Sequence, residues 1–116
     1  MNEGWVGFDL DGTLAKYVSW NGPQSIGEPI KSMIEILKKY LSNGWKCKIF
    51  IARAYYGIEA TTAIHKWLKN QGLPELEVTN IKDFAMAYLY DDRCVVVETN
   101  TGKILGGDFF SEFLFK

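Results

Sequence analysis

The sequence predicts an α/β fold built on a small parallel sheet. Short apolar runs of strand length alternate with segments whose apolar residues recur at three and four positions. Four of the runs lead into charged side chains, Asp9, Arg53, Lys82 and Asp91. Strand, helix, strand, helix, strand, strand is the order of an α/β chain, whose ligand site lies at the carboxyl ends of its strands. The chain has 116 residues, the size of one ordinary domain.

The first strand is Trp5-Val6-Gly7-Phe8, followed by Asp9, Asp11 and a turn at Gly12. Side chains alternate along extended chain, so Asp9 and Asp11 fall on one side. Two like charges held there are costly unless a cation or a proton offsets them. A plain acidic loop is the alternative reading. Residues 14–29, with Gly22, Pro23, Gly27 and Pro29, form a loop or short hairpin flap over the same pocket. Its Tyr17 and Trp20 either contact a substrate or cover the rim of the core.

The first helix spans residues 29–43, with Ile30, Met33, Ile34, Leu37, Tyr40 and Leu41 on one face, Pro29 in its first turn and Gly44 at its end. Lys31, Lys38 and Lys39 belong to its solvated face. Residues 46–51 are the second strand, residues 52–57 a loop, and residues 58–71 the second helix, on which His65 is a surface side chain. Leu76-Glu77-Val78 is a short third strand, residues 79–83 a polar loop, and residues 85–90 a fourth strand ending in Asp91-Asp92. Residues 95–105 read as a β-hairpin with a polar turn at Thr99-Asn100-Thr101-Gly102. Phe109, Phe110, Phe113, Leu114 and Phe115 close the chain as an apolar tail that packs on the core or forms a homodimer surface.

The formal net charge of −1 supplies no general basic field for nucleic acid, although a local groove stays open. Two cysteines, Cys47 and Cys94, and one histidine cannot build a zinc site. The N-terminus lacks a basic start and a long apolar stretch, and no segment reaches membrane-spanning length, so the expected setting is cytoplasmic and reduced.

Asp9-Leu10-Asp11-Gly12-Thr13-Leu14 resembles the first motif of the haloacid dehalogenase (HAD) superfamily of phosphohydrolases. Lys82 lies where that superfamily's third-motif lysine is expected, and Asp91-Asp92 is similar to its acidic fourth motif. Ile51-Ala52-Arg53 and Asp91-Asp92-Arg93 look closest to small capless phage and bacterial members, and to the phosphatase domain of phage polynucleotide kinase. The resemblance runs from residue 5 to about residue 93. It implies a HAD-like, Rossmannoid three-layer fold without a cap domain, an Mg²⁺ cofactor, and a phosphomonoester hydrolase acting through an aspartyl-phosphate.

The residues are suited to that chemistry. A phosphate brings about two negative charges to a site already holding carboxylates. Mg²⁺ prefers oxygen ligands, keeps several waters and takes one or two carboxylates; Asp9 with Asp91 or Asp92 supplies them. Asp9 is the expected nucleophile and Asp11 the acid/base. The Asp11 backbone carbonyl is expected on the metal by resemblance. Lys82 neutralises the transferring group, Thr13 and backbone N–H groups hold phosphate oxygens, and Arg53 offers a bidentate fork. One position departs from the superfamily: Ile51 stands where a Ser or Thr donates to the phosphate. Losing one such donor costs roughly 3 kcal/mol in related sites. That leaves open a catalytically weak phosphate-binding or regulatory module. A receiver-like phosphoacceptor domain fits less well, since its reactive Asp ends a middle strand, where this chain has Ile51 and Val78. The expected partner is a phosphorylated substrate, with nucleotides and polynucleotide ends included.

Overall fold

The computed structural model describes residues 4–107. Four parallel strands form one sheet: β1 (Trp5–Phe8), β2 (Lys46–Phe50), β3 (Glu77–Thr79) and β4 (Met86–Tyr90). Their order across the sheet is β3-β2-β1-β4. Helix α1 (Lys31–Ser42) joins β1 to β2, and α2 (Ile58–Asn70) joins β2 to β3. Two short strands, β5 (Val96–Val97) and β6 (Ile104–Gly106), pair antiparallel as a separate hairpin. The α/β class, the small parallel sheet and the C-terminal hairpin agree with the sequence reading. The expected tail from Phe109 to Phe115, with its dimer surface, lies outside the described residues.

Alternation along β1 and β2 sends Val6, Phe8, Cys47 and Ile49 to one face, where they pack with Ile34 and Leu37 of α1 and Ile64 and Leu68 of α2. Both helices therefore cover the same face. Phe8 is fully buried, stacks on Tyr90 with ring centroids 4.8 Å apart, and meets Tyr40 edge-on. The hydroxyls of Tyr40 and Tyr90 share a 2.8 Å hydrogen bond, which ties α1 to β4. The opposite face carries no helix among the described residues, which therefore form two layers where the resemblance implies three. Trp5 lies there across Gly7, and a Cβ on Gly7 would stand 3.0 Å from the indole. Lys48 sits over that indole at 4.4 Å and pairs with Glu77 at 3.3 Å, which explains how a lysine is buried mid-strand.

Local differences from the sequence reading have physical causes. Helix α1 begins at Lys31, not Pro29. Pro29 instead forms a bridge with Ala15, between bonds from Lys16 N–H to the Glu28 carbonyl and from Ile30 N–H to the Leu14 carbonyl. A residue without an N–H suits that unbonded position of the ladder. Residues 52–56, read as loop, form a 3₁₀ turn. His65 is half-buried, not a free surface side chain: its Nε2 bonds the Leu76 carbonyl at 2.7 Å and its Nδ1 lies 3.0 Å from a Glu75 carboxylate oxygen, which places α2 against the approach to β3.

Phe8 touches both the helical layer and β4. Phe8→Ala is expected to lower the unfolding free energy by about 3–5 kcal/mol, as for other buried aromatic truncations. Urea unfolding followed by near-UV circular dichroism measures it, and a loss under about 1 kcal/mol would show that the cluster collapses around the cavity.

Candidate active site

The β1–β4 register places Phe8 beside Tyr90, so the next residues, Asp9 and Asp91, emerge side by side at the carboxyl edge. The Asp9 N–H bonds the Tyr90 carbonyl at 2.8 Å and carries the pairing one step past the strands. Carboxylate oxygens of Asp9, Asp91 and Asp92 lie within 4.8 Å of one another. Burial raises the Asp9 pKa from an ordinary 3.8 to about 8, with a hydrogen bond to Asp92 and the charge of Asp91 adding to the rise. Three acids this close are compatible only if protons or a cation separate their charges. Their carboxylate oxygens, partly buried and open to the cleft, are a set that could hold a metal ion.

The turn after β1 is fitted to Asp92. Gly12 has φ +90°, and a Cβ there would lie 2.5 Å from an Asp92 carboxylate oxygen, so both conformation and space call for glycine. Thr13 is buried; its hydroxyl donates to Asp92 Oδ1 at 3.2 Å and accepts from the Asp92 N–H at 3.1 Å. The Thr13 hydroxyl, expected on phosphate oxygens, positions Asp92 here.

Arg53 and Asp11 are engaged with each other. Arg53 is 4% exposed. Its Nε donates to Asp11 Oδ2 at 2.6 Å and its Nη2 to Asp11 Oδ1 at 2.8 Å. The bidentate fork expected on a phosphate is therefore closed on Asp11. The Asp11 carboxylate points to Arg53 and stands apart from the acid cluster, so of the four expected metal residues the side chains of Asp9, Asp91 and Asp92 come together.

The cleft over these groups has a volume of about 580 Å³ and is bounded by Tyr17, Trp20 and Tyr56 on the flap side. Trp20 stacks on Tyr56 at 5.5 Å. Lys82 is exposed and does not line the cleft; its charge reaches Cys94, where it opposes the upward push that burial and Asp91 give the thiol. Asn80 and Arg93 line the cleft, and the sequence reading gave neither a role. Their positions, directly after β3 and directly after the acid pair, were the available signal. Ile51 also lines the cleft, but it is buried in the core cluster.

No protein-family model matches the chain, and no curated protein matches it significantly. Among solved structures it is similar to a conserved protein from Bacteroides thetaiotaomicron, with a TM-score of 0.60 and 22% identity, over 97% of this chain and 90% of that one. This likeness shows the fold. No helix among the described residues is long and apolar enough to cross a membrane.

The Asp9 shift sets a pH dependence. Between pH 3.8 and about 8 the folded state holds a proton that the unfolded state has released. Stability contributed at Asp9 therefore falls as pH rises through that window and levels off above it. In chelator, the melting temperature of Asp9→Asn relative to the natural chain is expected to rise from pH 5 to pH 8.5. A difference that stays flat across this range would mean that Asp9 is ionised throughout.

Proposed function

We propose that the protein is a Mg²⁺-dependent phosphomonoester hydrolase of HAD type that uses Asp9 as nucleophile. The observation that carries this reading is the meeting of Asp9, Asp91 and Asp92 at the carboxyl edge of the sheet, in an open cleft that Asp11 also lines. Held by Asp9, Asp91 and Asp92, Mg²⁺ would supply Lewis-acid charge to offset the carboxylates and the phosphoryl oxygens.

In this scheme an Asp9 carboxylate oxygen attacks phosphorus, and the bond from phosphorus to the leaving oxygen breaks. Asp11, turned from Arg53 and protonated from solvent, gives that oxygen a proton, then takes one from the water that hydrolyses the aspartyl-phosphate. To do so, the Asp11 side chain turns from Arg53 toward the cleft. Thr13 keeps Asp92 in place. Arg93, on the cleft wall, takes the substrate-binding part that Arg53 cannot fill while paired, and Lys82 swings in from the rim as the second cation. The broad, uncapped cleft suits bulky phosphomonoesters, nucleotides and polynucleotide ends among them. Two free thiols accord with a cytoplasmic setting.

A second reading, a phosphate-binding module with little turnover, is favoured by Ile51 and by the engagement of both Asp11 oxygens. The two are separated by activity. The enzyme should release phosphate from an aryl phosphate only with Mg²⁺, and Asp9→Asn should lower the rate by about a thousandfold or more. Mg²⁺ alone should also raise the melting temperature at pH 8 and leave Asp9→Asn unmoved. Phosphate binding without release on long incubation would overturn the enzyme reading and support the module.

A further inference from the structure

Arg53 does more than pair with Asp11. Its Nη1 donates to the carbonyls of Gly22 and Pro23, at 3.2 and 3.1 Å, and both belong to the tip of the flap. Its guanidinium lies 4.8 Å from the ring centroid of Trp20, also on the flap, and Tyr56 backs that ring. One buried guanidinium thus holds the flap with one nitrogen and Asp11 with the other two. Further contacts seat the flap against α2: Gln24 donates to Glu59 at 2.8 Å, and the Trp67 indole donates to the Gly27 carbonyl at 2.9 Å.

We propose that Arg53 is a positioning residue that couples flap closure to the orientation of Asp11. The reason is the cost of a half-satisfied buried cation. If the flap lifts, Nη1 loses both acceptors and the ring face, water reaches the guanidinium, and its alignment with Asp11 weakens. If Asp11 turns away, the guanidinium loses its counter-charge and is drawn toward water, which loosens the flap carbonyls. Both events draw on one residue, so each favours the other, and the coupling is reciprocal. The closed state holds Asp11 off the acid cluster; opening for a substrate releases it. The proton-transfer role of Asp11 rests on the phosphatase reading, but the coupling does not.

Amide hydrogen exchange tests the coupling without substrate or turnover. The reporters are the flap amides of Lys16 and Ser25 and the amide of Ile30 at its base, which bond the carbonyls of Glu28, Gly22 and Leu14. Asp11→Asn alters a side chain whose hydrogen bonds, among the described residues, go to Arg53 alone. It should speed exchange at these amides by about threefold or more, with the amides of α1 and α2 unchanged. Arg53→Lys, which keeps the charge and loses the fork, should do the same. Reciprocally, Trp20→Ala should move the carboxyl carbon resonance of Asp11. If Asp11→Asn leaves flap exchange at the natural rate, Arg53 is only a flap anchor and the coupling is wrong, whatever the phosphatase assay shows. If the coupling holds in a protein that releases no phosphate, the enzyme reading alone falls.

Discussion

The pairing of β1 with β4 is the constraint from which the site follows. Parallel strands in register deliver equivalent positions to one edge, and Phe8 beside Tyr90 delivers Asp9 beside Asp91. A shift of one residue would turn Phe8 out of the core and Asp9 into it. The stacking of Phe8 on Tyr90 and the hydroxyl bond from Tyr90 to Tyr40 oppose such a slip. The apolar packing that folds the sheet is thus what holds three carboxylates together against their own repulsion.

Much of the fold was legible in the sequence because its signals are local. Val6 and Phe8, or Ile34 and Leu37, declare a strand face and a helix face by spacing alone. The acidic pairs after β1 and β4 were legible for the same reason, since each directly follows an apolar run. Whether they meet depends on strand order, which the α/β pattern implies but no single segment encodes. What stayed hidden was non-local. Pro29 carries the helix-start signal of its type, yet the flap ladder claims it. Nothing local marks Lys48 for burial; its partners Trp5 and Glu77 come from two other strands.

The site shows the same division. Spacing puts Asp9, Asp11, Thr13 and Arg53 near strand ends, where the structure has them, and gives Thr13 and Arg53 to phosphate oxygens. In the folded chain, Thr13 serves Asp92, and Arg53 serves Asp11 and the flap. Buried polar groups seek partners within the protein first, because leaving them bare is expensive. A sequence motif gives the type of group and its position on the edge. It does not say which neighbour satisfies that group when no ligand is bound.

The two kinds of polar contact have different consequences. Thr13 and Gly12 fix Asp92 through short-range geometry, a hydroxyl that both gives and accepts and a glycine with no room for a Cβ. Such contacts rigidify. The Arg53 pairing joins three chain segments through a single charged group, and charged groups in a cleft can exchange protein partners for water or for a ligand anion. The acid cluster adds its own bias: its negative charge is lower with Asp9 protonated than with Asp9 ionised. A cation among Asp9, Asp91 and Asp92 would lower the field at the mouth of the cleft and so change what an incoming anion meets. The rigid edge thereby fixes where charge gathers, and the flap side supplies the part of the site able to move in response.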